Sequence, residues 1–292
     1  MNKLKSKKLY LLDMDGTIYL GNRLFDGTLD FLRYVNDIGG RYIFLTNNSS
    51  KGVDSYIKKL ASMGINAEAD DFFTSANATI VHLNKKNYKK IYALGTESFK
   101  AQLRDAGLPI TDSFNDSEID SFDCLCMGFD TELTFKKLED ACKLLLLNKG
   151  IDYIATNPDW VCPTEYGSVP DCGSISAAIK NATGRLPYFI GKPQPDMALL
   201  AIEKTGFSPE ETALIGDRLY TDIACGVNAG ISTIFVLSGE GTMADVHASE
   251  QKPEFIYKDI RTLYHDLTQV NTSIPTANTS GIANSHDEDF TF

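Results

Sequence analysis

Short apolar runs alternate along the chain with longer stretches of helical period. Tyr10–Leu12, Tyr42–Leu45, Ile91–Leu94, Cys124–Met127, Tyr153–Ala155, Ala213–Ile215 and Thr233–Leu237 read as buried strands. Between them, apolar residues recur at helical spacing. Leu29, Leu32, Val35 and Ile38 stop at Gly39 and Gly40, and Val53, Ile57 and Leu60 follow Ser50 and stop at Gly64. Leu138, Ala141 and Leu145 form a third set, and Ile175, Ala178, Ile179 and Ala182, closed by Gly184, a fourth. Met197, Leu200 and Ala201 run from Pro195 to Gly206. Strands alternating with helices of this length predict an α/β fold with parallel sheets and helical crossovers. Ligands gather at the carboxyl ends of such strands, so the turns after them are where chemistry is expected.

Composition narrows the classes. The 292 residues are 43% hydrophobic and 23% charged, as in a globular protein. The formal net charge of −11 argues against nucleic acid and against an anionic membrane surface as partners. A small anionic substrate stays open, because a metal ion or a few local donors reverse the field in one pocket. Lys3, Lys5, Lys7 and Lys8 precede only the apolar stretch Leu9–Leu12 before Asp13, too short for a secretory signal, and Leu144–Leu147 is too short to span a bilayer. The six cysteines form no C-x-x-C pair, and with no export signal they are expected to be reduced thiols in a cytoplasmic protein. Residues 271–292, rich in Asn, Thr, Ser and Ala, are expected to be a disordered tail. The four histidines stand in ordinary contexts. The chemistry is therefore expected from carboxylates.

Four strand ends carry it. The first is Asp13-Met14-Asp15-Gly16-Thr17, where alternation starts Asp13 and Asp15 on one face and two close anions invite a hard cation such as Mg²⁺. The second is Thr46-Asn47-Asn48-Ser49, a hydroxyl, two amides and free N–H groups suited to an anion. The third is Gly191-Lys192-Pro193, a cation held just before a helix. The fourth is Gly216-Asp217-Arg218-Leu219-Tyr220-Thr221-Asp222, which brings an acid straight after a buried strand to join Asp13 and Asp15. Each has a plainer use, as turn, helix cap or surface lysine, and it is their order that counts.

Together these segments resemble the haloacid dehalogenase (HAD) superfamily of aspartate-nucleophile phosphohydrolases. Thr156-Asn157-Pro158-Asp159, followed by Cys162-Pro163-Thr164-Glu165-Tyr166-Gly167, looks like its subfamily IIA, the NagD-like or 4-nitrophenylphosphatase branch. The resemblance covers about residues 8–265. It implies a doubly wound, Rossmann-like core of residues 1–77 plus 186–270, with an α/β cap over 78–185. The spacing agrees: the 33 residues from Asp13 to Thr46 suit one crossover, whereas the 144 from Asn48 to Lys192 have room for an inserted domain.

The resemblance also implies a mechanism on small phosphorylated metabolites such as sugar phosphates or nucleoside monophosphates. Asp13 is the nucleophile and forms an aspartyl-phosphate, and Asp15 is the general acid and base. Mg²⁺ is held by Asp13, the backbone carbonyl of Asp15, and Asp217, with Asp222 supporting Lys192 or metal-bound water. Thr46, Asn47 and Lys192 bind the phosphoryl oxygens, with Asn48 beside them. Asn157 and Cys162, in the stiff loop Asn157–Glu165, are expected to meet the leaving group. Caps of this type often support dimers, so a homodimer is a further expectation. The contrasting reading is a catalytically idle member acting as a binding or regulatory module, which could lose these acids; all are intact.

Overall fold

A computed structural model describes residues 3–164 and 166–269; Glu165 and the tail expected to be disordered over 271–292 lie outside the described residues. In chain order the elements are β1 Leu9–Leu12, β2 Tyr19–Leu20, β3 Arg23–Leu24, α1 Thr28–Asp37, β4 Arg41–Thr46, α2 Val53–Ser62, β5 Phe72–Thr74 and α3 Ser75–Lys86. There follow β6 Ile91–Leu94, α4 Glu97–Asp105, β7 Ile110–Thr111, β8 Cys124–Met127, α5 Phe135–Leu147, β9 Asp152–Ala155, β10 Val161–Thr164, β11 Gly167–Pro170 and α6 Cys172–Thr183. The chain closes with β12 Tyr188–Phe189, α7 Asp196–Thr205, β13 Thr212–Gly216, α8 Ala224–Asn228, β14 Ser232–Val236, α9 Met243–Ala248, β15 Phe255–Tyr257 and α10 Ile260–Thr268.

Two parallel sheets organise these elements. The first runs β15-β14-β13-β1-β4-β5 and the second β12-β9-β8-β6-β7. The seven strands expected from the apolar runs all occur, with β14 one residue earlier than its run. Side chains alternate across the first sheet. Leu9, Leu11, Ile43, Leu45 and Leu214 meet Met197, Ala198 and Ala201 of α7, while Tyr10, Leu12, Phe44 and Ile215 meet Phe31 of α1, Leu60 of α2 and Leu263 of α10. Burying one such side chain contributes roughly 1.5–3 kcal/mol. Helices on both faces define the doubly wound architecture.

The second sheet packs Leu125, Met127 and Tyr153 against Ala141 and Leu144 of α5 and Ile175 of α6. It takes in Tyr188–Phe189, just past residue 185. Helix α3 joins the two sheets. The Thr74 hydroxyl caps it by accepting the Asn77 N–H at 3.1 Å, and its Ala76, Ala78 and Leu83 lie in one apolar cluster with Leu11 and Leu45 of the first sheet and Ala93 and Cys126 of the second. No helix among the described residues is long and apolar enough to cross a membrane.

Candidate active site

In the first sheet β1 lies between β13 and β4, so the turns that follow these three strands converge at one end of the sheet. The Asp13 N–H still donates to the Ile215 carbonyl at 2.9 Å, so the ladder fixes its backbone. Gly16 then turns with φ of 89°, a left-handed conformation suited to glycine. A Cβ there would stand 2.4 Å from Asp217 Oδ2, and one on Gly239 would stand 1.9 Å from the same oxygen. Two glycines therefore make room for the Asp217 carboxylate, which accepts the Glu240 N–H at 2.7 Å. The Thr17 hydroxyl sits 3.5 Å from Asp13 Oδ2 and 3.5 Å from Asp217 Oδ1, between the two acids.

Asp222 returns to the same place through a wide helical turn. The Ile223 N–H reaches back five residues to the Arg218 carbonyl at 3.1 Å, a π-helical bond of the kind frequent at functional sites. Asp222 Oδ2 accepts the Arg218 N–H at 3.1 Å, and its Oδ1 accepts from Lys192 Nζ at 2.6 Å. Lys192 is 2% exposed, and its ammonium also donates to Asp13 Oδ1 at 2.6 Å and to the Leu45 carbonyl at 3.1 Å. Burial alone would lower its pKa; the charges of Asp13 and Asp222 outweigh that and hold it protonated.

Carboxylate oxygens of Asp13, Asp217 and Asp222 lie within 4.8 Å of one another. Burial, then the charges of Asp13 and Asp222, push the Asp217 carboxyl well above the usual carboxylate range. A set of hard oxygen donors in mutual conflict fits a divalent cation such as Mg²⁺. Both oxygens of Asp222 are already engaged, by Lys192 and by the Arg218 N–H, so Asp13 and Asp217 are the carboxylates left to hold it.

The loop after β4 brings Thr46, Asn47 and Asn48 to the cavity, with their side chains partly committed to neighbouring groups. Thr46 lines the cavity, and its hydroxyl accepts the Asn48 N–H at 3.3 Å. The Asn47 side chain is committed inward: its Nδ2 donates to the Lys192 carbonyl at 2.9 Å and to Asp159 Oδ2 at 2.8 Å, and its Oδ1 accepts the Lys192 N–H at 2.9 Å. It grips the Lys192 backbone rather than offering its amide to a ligand. Asn48 Oδ1 accepts from Ser50 N–H at 2.9 Å, and its Nδ2 faces Cys162 Sγ at 3.9 Å.

The loop after β9 also departs from expectation. Asn157 is fully buried, and its Nδ2 donates to Asp159 Oδ2 at 2.8 Å and to Asp171 Oδ1 at 3.1 Å. It does not line the cavity, because two carboxylates stand between it and the open space. Burial, then the neighbouring charge of Asp159, raises the Asp171 carboxyl to about 6. Cys162 does line the cavity, and burial pushes its thiol up to about 11, so it presents a neutral group.

Arg218, directly after Asp217, lines the cavity and carries no role in the sequence expectation. Its Nη1 donates to Asp159 Oδ1 at 3.1 Å, tying the loop after β9 to the turn after β13. The partnership depends on Asp159 being 2% exposed, which only the structure shows.

Asp15 stands at the cavity mouth. It accepts from the Tyr19 hydroxyl at 3.0 Å, and Lys59 Nζ lies 3.7 Å from its Oδ1. Burial, opposed by Lys59 and assisted by the Asp13 charge, raises its carboxyl above the usual range, the direction a general acid requires. The cavity lined by Asp13, Asp15, Thr46, Lys192 and Arg218 holds about 40 Å³, room for a few water-sized groups.

Comparison with known proteins follows this geometry. A family model described as haloacid dehalogenase-like hydrolase matches residues 10–109, and a second HAD hydrolase-like model matches 189–263. The acid sugar phosphatase of Staphylococcus aureus (strain USA300) is 36% identical over 265 residues, 90% of this chain and 99% of the relative. The solved 4-nitrophenylphosphatase from Thermotoga maritima is 40% identical, with a TM-score of 0.83 over 91% of this chain and 100% of that one. A glycerol phosphate phosphatase from Mycobacterium tuberculosis, solved in complex with magnesium, is 30% identical, with a TM-score of 0.80 over 89% of this chain and 78% of that one. The chain belongs to the haloacid dehalogenase-like hydrolases, on their NagD-like phosphatase branch.

Proposed function

We propose that the protein is a Mg²⁺-dependent phosphomonoester hydrolase working through an aspartyl-phosphate, with sugar phosphates as its first substrate class and nucleoside monophosphates as the second. The observation that carries this is the Asp13 carboxylate, held by Lys192 at 2.6 Å, on the same small cavity as Asp15. An Asp13 oxygen attacks phosphorus while Asp15 gives its proton to the departing ester oxygen. Asp15 then takes a proton from water, whose oxygen attacks phosphorus and frees Asp13 and inorganic phosphate. Lys192 faces the developing charge throughout, and the Thr46–Asn48 turn supplies neutral donors. Mg²⁺ bound at Asp13 and Asp217 would screen the approach of carboxylate to phosphate. The same reading takes residues 1–77 and 186–270 as the catalytic core and 78–185 as the cap, with the cap's end moved past β12, Tyr188–Phe189, which pairs in the second sheet. The sugar-phosphate preference rests on the names of the Staphylococcus relatives.

Phosphate release from glucose 6-phosphate, uridine monophosphate and 4-nitrophenyl phosphate, with Mg²⁺ and with EDTA, tests the proposal. Hydrolysis should require Mg²⁺, vanish with EDTA and return when Mg²⁺ is restored. Undiminished hydrolysis in EDTA would count against Asp13 and Asp217 as a metal site, and no hydrolysis of any ester would count against the enzyme.

A further inference from the structure

A second cleft of about 650 Å³ adjoins the inner cavity, and only Asp15 and Pro163 line both. The inner cavity is far too small for a sugar or glycerol unit, so the body of a substrate extends outward past Asp15. That is where a general acid has to meet the bridging oxygen. The outer cleft is walled by Leu20 and Asn22 of the β2–β3 hairpin, Lys59 of α2, and Pro163 and Tyr166 of the β10–β11 hairpin. Leu20 and Tyr166 are 54% and 83% exposed, an apolar surface waiting for contact. Lys59 is the only cation lining this cleft among the described residues.

The setting of Lys59 is unusual for a surface lysine. Its ammonium lies 3.8 Å from the centroid of the buried Tyr19 ring and forms an ion pair with Asp15 Oδ1 at 3.7 Å. Its side chain is 29% exposed, so the charge is partly desolvated. The ring and the Asp15 charge hold the ammonium at the wall of the cleft, beside Asp15.

Resting on the phosphatase reading above, we propose that Lys59 is a specificity residue that selects leaving groups bearing a carboxylate or a second phosphate within a few atoms of the ester oxygen. Lys59 binds that group by a charge-assisted hydrogen bond, with Asn22 as a neutral donor at the rim and Leu20 and Tyr166 covering the carbon skeleton. Among the described residues of the loop 157–165, Pro163 and Thr164 reach this surface.

Matched esters differing only in the acid test this: 3-phosphoglycerate against glycerol 3-phosphate, and 2-phosphoglycolate against 2-hydroxyethyl phosphate. The wild-type protein should favour the acidic member of each pair in kcat/KM. Lys59→Gln should erase that preference, lowering kcat/KM for the acidic member about 10- to 100-fold more than for its neutral partner, the weight of one charge-assisted contact. Lys59→Arg should restore most of it, and rising salt should erode it in the wild type. An equal loss on all four esters, or no wild-type preference for the acidic members, would overturn the inference while leaving the phosphatase reading intact. Failure of the wild type to hydrolyse any ester would instead overturn the reading on which it rests.

Discussion

Asp13→Asn should lower turnover by at least about 10⁴-fold, the scale seen when a covalent nucleophile is removed. The protein should melt no lower than the wild type. Asn has the same shape but no nucleophilic oxygen anion. It also removes one of three carboxylates whose oxygens lie within 4.8 Å of one another, so mutual repulsion at the site falls. The neighbours of Asp13 are all retained: the Ile215 carbonyl still accepts its N–H, and Lys192 keeps Asp222. Turnover with glucose 6-phosphate or 4-nitrophenyl phosphate, measured beside a thermal melt, checks both halves. Near-normal turnover in a correctly folded variant would contradict the nucleophile assignment.

Lys192→Met should carry the largest stability effect, roughly 3–5 kcal/mol, besides abolishing activity. Met matches the length of the lysine stem but leaves Asp13 and Asp222 without the ammonium each meets at 2.6 Å, and Asp222 is 1% exposed. The sign with pH follows from this. Burial, then the Asp13 charge, already raises the Asp222 carboxyl to about 6 in the wild type; without the ammonium it holds its proton more tightly still, whereas in the unfolded chain it releases it near pH 4. A group whose folded pKa is raised stabilises below its unfolded value and loses that contribution as pH rises through the folded one. Both proteins lose that contribution between about pH 4 and 6, so the deficit relative to wild type should widen from about pH 6 upward. Urea denaturation of the metal-free proteins across that range reads it directly.

The fold and the acids were legible in the sequence for one physical reason. In a parallel sheet, strand ends that are neighbours in space are each marked by the same local event, an apolar run stopping at polar or glycine residues. Hence Asp13, Thr46 and Asp217 could be grouped from text alone, and the adjacency of β13, β1 and β4 brings them together. Elements with little periodicity were lost. The strand β5, Phe72–Thr74, has three residues, too few to show alternation. The hairpin of β10 and β11 includes Pro163 and Pro170, which weaken a strand reading. Helix α10 was overlooked despite a usable signal, with Ile260, Leu263 and Leu267 on one face and Asp259 capping it through the Thr262 N–H at 2.8 Å.

Side-chain commitments were harder to read than positions. Asn157 sits in a motif and next to the right loop, yet its amide is spent on Asp159 and Asp171. Asn47 is spent on Lys192 and Asp159. Spacing shows which residues approach a site; only packing shows which still have a donor free when they arrive. The gathering of Lys59, Tyr19 and Asn22 depends on a helix meeting a hairpin, and no local pattern announces it.

The central claim is that phosphorus passes through Asp13 before it reaches water. The stereochemical course at phosphorus tests this most directly, using an ester made chiral with oxygen isotopes and followed through to transfer onto an acceptor alcohol. Two successive in-line displacements, the first by Asp13 and the second by the acceptor, predict retention of configuration. Inversion would show a single displacement by the acceptor itself and would contradict the account.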